Sequence, residues 1–225
     1  MLENNKIYQG DCLEIMKQIK DKSIDLVLTD PPYLITGGAG KFKASRPTYQ
    51  TIIDGDISKG FNGDILKEIK RIMKVFNAYF FCSKSQLKLY LDFTNNNNFN
   101  FSLLTWIKTN PSPLINNKYL SDTEYIFLIR EKGAYLKPTY RTAKSYFLQN
   151  NGVSTTDHPT EKPLNIISTL MKNSSKENDL ILDPFLGSGT TAVACQELHR
   201  NFIGIEISEK YCQIARDRLK QQPLF

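Results

Sequence analysis

A chain of 225 residues, 40% apolar and 23% charged, is sized and composed for one α/β domain rather than a disordered or fibrous protein. No apolar run approaches the roughly 20 residues of a membrane helix, and the amide- and acid-rich opening "MLENNKIYQGDCLEIM" does not read as a secretion signal, so no membrane association and a cytoplasmic location are expected. Four scattered cysteines without a CxxC pair and only two histidines leave no metal expected, and the net charge of +6 permits a polyanionic partner.

In chain order, a short strand is expected at 6–10, then a helix over 12–19 with Leu13, Ile15, Met16 and Ile19 on one side. A second strand, 24–29, runs into Asp30-Pro31-Pro32-Tyr33. Residues 34–60 are rich in Gly, Lys and Ser and read as a long functional loop. Ile65, Leu66, Ile69, Ile72 and Met73 keep a 3.6 period over 65–73, followed by a strand at 78–82 and a helix at 86–92. The polar run 94–100, "TNNNNFN", reads as a loop before strands at 102–107 and 123–129. Residues 131–162 resist assignment. Helices at 164–172, 190–198 and 209–220, the last behind Ser208 as N-cap, then alternate with strands at 180–182 and 202–205. This alternation predicts an α/β fold with a mostly parallel seven-stranded sheet and helices on both faces.

Ligands of such sheets bind at the carboxyl ends of the strands, and two ends carry chemistry. At "LILDPFLGSGTTAVAC", an apolar strand enters Asp183-Pro184-Phe185 and a Gly187-Ser188-Gly189 turn that opens a helix. Glycines there let backbone N–H groups approach a ligand. The pattern is neither G-x-G-x-x-G nor a P-loop. Yet Glu206 ends the next strand, about 20 residues on, where a ribose hydroxyl pair would be held. An adenosine-type cofactor is expected. At the other end, the prolines hold the chain extended and set the Pro31 carbonyl near the Asp30 carboxylate. Two adjacent acceptors suit an exocyclic amino group, and Tyr33 offers a face for stacking a base.

The positive charge is unevenly spread. Lys41, Lys43 and Arg46 fall in an acid-free stretch, as do Lys132, Lys137, Arg141 and Lys144, the latter interleaved with Tyr135, Tyr140, Tyr146 and Phe147. Cations among aromatics suit phosphates and unstacked bases; a solvated face with snorkelling lysines is the alternative.

These motifs together resemble the beta class of S-adenosylmethionine (AdoMet)-dependent DNA amino-methyltransferases. "DPPY" at 30–33 is similar to the catalytic motif, "DPFLGSGTT" at 183–191 to the cofactor motif, and "HPTEKP" at 158–163 and "GDCLEIMKQI" at 10–19 to the remaining cofactor elements. The catalytic motif precedes the cofactor motif, the permuted order of that class. The resemblance implies a Rossmann-like methyltransferase fold, one domain over 1–225, with 34–60 as DNA and active-site loop and 131–157 as a small target-recognition segment.

It implies that Asp30 and Pro31 accept the target amino group, with Pro32 and Tyr33 completing the catalytic set. Phe185, Gly187, Gly189 and Thr190 would line the methionine part, Glu206 the ribose and Asp11 the adenine. Cys12, Asp30, Asp183, Ser188, Thr191 and Ile207 complete the implied cofactor set, with Lys162 or Thr160 at the methionine carboxylate. The expected partners are double-stranded DNA with a flipped base, a second copy of the chain, and a cognate restriction enzyme; Lys41, Lys43, Arg46, Lys137, Arg141 and Lys144 are the expected DNA contacts.

Within the family it resembles, Asp at the first catalytic position implies adenine N6 as the expected target, with cytosine N4 as the alternative. Cytosine C5 chemistry needs a cysteine nucleophile, and none of the four follows a proline in a suitable loop. A nucleotide-dependent enzyme of another class would leave Asp-Pro-Pro-Tyr unexplained. A non-catalytic DNA-binding module would not need Asp30 and Glu206 together.

Overall fold

Eight strands hydrogen-bond into a single sheet in the computed structural model, which describes residues 2–32, 61, 63–111, 113, 119–150 and 161–221. They are β1 (Lys6–Gln9), β2 (Leu26–Thr29), β3 (Asn77–Cys82), β4 (Asn100–Ile107), β5 (Thr123–Arg130), β6 (Tyr146–Leu148), β7 (Leu180–Asp183) and β8 (Asn201–Glu206). Their spatial order is β1-β8-β7-β2-β3-β5-β4-β6. The helices are α1 (Cys12–Met16), α2 (Gly63–Ile72), α3 (Leu87–Asn96), α4 (Leu164–Ser174), α5 (Thr190–Glu197) and α6 (Glu209–Gln221).

The two-residue period of the strands divides the core into two layers. Val27, Ala78, Phe80, Phe127 and Leu182 face one side with Ile15 and Met16 of α1, Leu66 and Ile69 of α2, and Tyr90 of α3. Leu26, Leu28, Tyr79, Phe81, Ile126 and Ile181 face the other with Ile166 and Leu170 of α4, Ala192 of α5 and Ala215 of α6. β2 and β3 are buried on both faces, which explains their unbroken apolar runs.

Strands β1, β8, β7, β2 and β3 are parallel neighbours, and β5 pairs antiparallel with both β3 and β4. Among the described strands β5 alone runs against the rest, so its first residues lie at the edge where the others end.

Two expectations need correction. The sheet has an eighth strand, β6, parallel to β4. Three residues of alternating exposure carry too little pattern to be read as a strand. The run 94–100 is not all loop, since α3 continues to Asn96. Thr94 Oγ1 donates to the Tyr90 carbonyl at 2.7 Å and Asn97 Nδ2 to the Phe93 carbonyl at 2.8 Å, so these polar side chains finish the helix. Asn98 takes the left-handed conformation (φ 52°) before β4 begins at Asn100. All four cysteines are buried and unpaired, and Trp106 is a core aromatic whose Nε1 donates to the Gln149 carbonyl at 2.9 Å. No helix among the described residues is long and apolar enough to cross a membrane.

Candidate active site

From β2 the chain moves through α2 to β3 on one side, and from β7 through α5 to β8 on the other. The crevice where these directions diverge lies between β2 and β7, the place where open α/β sheets bind ligands. Asp30 follows β2 and Asp183 ends β7, so the two motifs singled out in the sequence are neighbours.

Asp183 is buried. Its Oδ1 accepts from Thr29 Oγ1 at 2.7 Å and from the Phe185 N–H at 3.1 Å. Burial pushes its carboxyl up to about 6, against the pull of the Thr191 and Thr29 hydroxyls and the Phe185 N–H. With these partners Asp183 ties the turn to the end of β2. Leu186 N–H reaches the Ile205 carbonyl at 2.8 Å, and Gly187 and Gly189 both have positive φ, 55° and 89°. A Cβ on Gly189 would stand 2.7 Å from Ala215 Cβ of α6, so a left-handed turn and a close helix approach coincide there. Ser188, Thr190 and Thr191 are buried, Ile207 is exposed, and the Phe185 ring lies edge-on to Phe61 at 6.0 Å.

Glu206 accepts one backbone N–H on each carboxylate oxygen, Gly187 on Oε2 and Ser208 on Oε1, both at 2.9 Å. Burial holds its carboxyl above the ordinary glutamate value, opposed by these backbone bonds. Asp11 follows β1, the strand beside β8, and its Oδ1 caps α1 by accepting the Glu14 N–H at 3.1 Å. Cys12 is buried in the first turn of that helix, its thiol pushed up to about 12 by burial and by Asp11.

On the other side of the crevice, Pro31 is buried and the Pro32 carbonyl accepts from Gln86 Nε2 at 3.1 Å. Gln86 is itself buried, and its Oε1 accepts the Ser83 N–H at 3.0 Å, so the end of β3 holds the Pro-Pro segment. Lys162 forms an ion pair with Asp30 and lies 3.5 Å from Glu124 Oε2. Sequence reasoning missed Gln86, Glu124 and Arg218. Arg218 of α6 donates to the Ser188 carbonyl at 2.9 Å and Thr190 Oγ1 at 3.3 Å, and pairs with Glu161 at 2.6 Å. It thereby joins the glycine turn to the segment preceding α4. An acid opening an otherwise apolar strand, Glu124, was the signal available.

The basic stretch at 132–150 divides. Lys137 N–H donates to the Asn173 carbonyl and Asn173 Nδ2 to the Thr142 carbonyl, in the last turn of α4. Asn77, the first residue of β3, donates to the Ser174 carbonyl in that same turn, which puts Lys137 and Arg141 at the edge opposite Asp30. These two residues lie there because α4 carries its carboxyl end to the far side of the sheet. Lys144 comes just before β6, its Nζ 5.7 Å from the Tyr146 ring. Tyr33, Lys41, Lys43, Arg46 and Thr160 lie outside the described residues.

Comparison with known proteins agrees with this geometry. The profile of the N6/N4 DNA methylase family matches residues 24–217. The type II methyltransferase M2.MboI of Moraxella bovis is 30% identical over 96% of this chain and 88% of its own. The crystal structure of an M1.HpyAVI–SAM complex is 29% identical, with a TM-score of 0.65 over 95% of this chain and 98% of that one. The PvuII cytosine-N4-specific DNA methyltransferase shares the fold at 17% identity, with a TM-score of 0.73 over 97% of this chain and 87% of that one. The chain belongs to the N6/N4 DNA methylase family, the AdoMet-dependent DNA amino-methyltransferases.

Proposed function

We propose that this enzyme methylates the exocyclic N6 of adenine in a base flipped out of double-stranded DNA. The observation that carries this reading is Asp30 at the β2–β7 crevice, next to the glycine turn and Glu206. Asp at the first position of the catalytic motif supports adenine over cytosine.

The donor set fits AdoMet. Each Glu206 oxygen, holding one backbone N–H, keeps acceptor capacity for a ribose hydroxyl. Asp11 and Cys12 stand one strand further out, toward the adenine. Phe185, Gly187, Ser188, Gly189, Thr190 and Thr191 form the wall for the methionine part, with Asp183 holding that wall and Ile207 at its rim. When bound, AdoMet supplies an electrophilic sulfonium methyl. The chain's own task is then positioning and electrostatics. Asp30 and the Pro31 carbonyl accept the two N–H bonds of the target amino group and turn its lone pair toward the donor. Gln86 holds Pro32, and Tyr33 stacks on the base, offsetting part of the few kcal/mol of extrusion.

In this reading residues 1–225 form one domain, 34–60 the DNA loop and 131–157 the recognition segment. Lys41, Lys43, Arg46 and Lys144 meet phosphates near the extruded base, and Lys137 and Arg141 meet the duplex further away. The exposed side chains Phe101, Leu103, Tyr146 and Leu148 share one sheet face and support a homodimer. The type II relatives support a restriction partner and a place in the cytoplasm.

Long-read sequencing of DNA from a methylation-deficient host expressing the chain tests the reading. N6-methyladenine at one recognition sequence is expected, and Asp30→Ala abolishes it while AdoMet still binds. N4-methylcytosine instead would overturn the choice of base, and methylation unchanged in the variant would overturn the role of Asp30.

A further inference from the structure

Four charges alternate across the crevice wall. Lys108 Nζ is 2.6 Å from Glu124 Oε1, Glu124 Oε2 is 3.5 Å from Lys162 Nζ, and Lys162 pairs with Asp30. Lys162, Lys108 and Glu124 have side-chain exposures of 9%, 16% and 19%, too low for an ordinary surface ion pair. Both ammonium groups also lie over aromatic rings, Lys108 Nζ 5.1 Å from Trp106 and Lys162 Nζ 5.4 Å from Phe81. Buried ion pairs are a weak device for stability, because desolvation consumes most of the Coulomb gain. The series runs from the end of β4 through the start of β5 to the end of β2, straight to Asp30.

We infer that Glu124 is a positioning residue for methyl transfer, taking a share of the charge of the Lys162 ammonium that is bonded to Asp30, so that Asp30 can also accept the target amino group. The inference rests on the reading of Asp30 given above. A lysine ammonium and an exocyclic amine are donors for the same carboxylate oxygens. Without Glu124, more of the Lys162 charge would fall on Asp30 and compete with the target. With Glu124 on its other side, its charge is shared between two carboxylates, while Lys108 limits how strongly Glu124 pulls. The pairing agrees with the ionisation of the group: burial pulls the Lys162 amine down, but Asp30 and Glu124 outweigh it and hold it above the ordinary lysine value. Burial pulls Glu124 up, and Lys162 and Lys108 outweigh it and hold it below the ordinary glutamate value. Glu124 reaches this place because β5 runs antiparallel to β3, setting its second residue at the carboxyl edge.

The other titratable groups around Asp30 do not share this role. Cys82 of β3, pushed up to about 12 by burial, and Tyr90 of α3, also raised by burial, stay neutral. Asp183 of β7 is common to every variant below.

Single-turnover transfer from tritiated AdoMet to unmethylated DNA, measured against pH, tests the inference in the full-length chain. Glu124→Gln is expected to lower the plateau rate at least tenfold with AdoMet affinity, read by calorimetry, within twofold. Its acid limb moves to lower pH, because a negative charge beside Lys162 is removed. Lys108→Met removes a positive charge and moves the acid limb to higher pH. Glu124→Asp, shorter but charged, falls between Glu124→Gln and the unsubstituted enzyme. The inference is overturned if Glu124→Gln transfers within twofold of the unsubstituted enzyme, if its rate falls only as AdoMet affinity falls, or if both limbs move the same way. Absence of transfer by the unsubstituted chain would instead overturn the functional reading, and this inference with it.

Discussion

Gly189→Ala probes the closeness of the cofactor turn to α6. At φ 89° a side chain meets left-handed backbone strain of roughly 1–2 kcal/mol. The added Cβ would also lie 2.7 Å from Ala215 Cβ and 3.1 Å from Ala215 Cα. Ala215 is fully buried, so the helix itself has to move, an overpacking cost of about 1–3 kcal/mol. Together these give about 3 kcal/mol, which for a chain of this size lowers Tm by roughly 6–12 °C. Moving α6 also draws Arg218 off Ser188 and Thr190, so AdoMet binding weakens along with stability. Thermal unfolding monitored by circular dichroism reads the first effect and calorimetry the second. The double variant Gly189→Ala with Ala215→Gly should recover the steric part, a coupling of about 1–2 kcal/mol in a double-mutant cycle. A Tm loss under about 2 °C with no coupling would refute the reasoning.

Asp183 makes a prediction about pH. Its folded carboxyl titrates at about 6, above the ordinary value, so the folded state binds the extra proton and stability falls as pH rises toward 6. The cost above that pH is on the order of 3 kcal/mol. In Asp183→Asn the difference in Tm from the unsubstituted chain should therefore move in the variant's favour between about pH 4 and pH 6.5; a constant difference would contradict the assignment. Arg218→Met removes the ion pair with the largely buried Glu161 and should cost about 3 kcal/mol by denaturant unfolding. Adding Glu161→Leu should restore that stability but leave AdoMet affinity at least tenfold low, because Ser188 and Thr190 stay unclamped. Full recovery of affinity would show that Arg218 does not hold the turn.

Much of this architecture is written locally. Val27, Phe80 and Leu182 alternate with Leu28, Phe81 and Ile181, so strand spacing alone sorts the two core layers. Asp30, Asp183 and Glu206 end apolar strands, and strand ends share an edge in a parallel sheet, so their neighbourhood was legible. β6 was not, because three half-exposed residues have no period and exist as a strand only through pairing with β4. Lys137 and Arg141 look continuous with Lys144 along the chain, yet the far end of α4 holds them at the opposite edge.

By itself, then, the sequence determined the layered α/β fold, the crevice acid, the glycine turn and the family, since each depends on contacts within a few residues or on a strand simply ending. The tertiary structure alone decided what surrounds the acid. Lys162, assigned by resemblance to the cofactor, pairs with Asp30 and Glu124. Glu124 arrives there on a reversed strand, Gln86 from the end of β3, and Arg218 clamps the turn from the final helix. Those partners come from chain segments far apart in sequence, and only the packing of the sheet brings their charges within reach of one another.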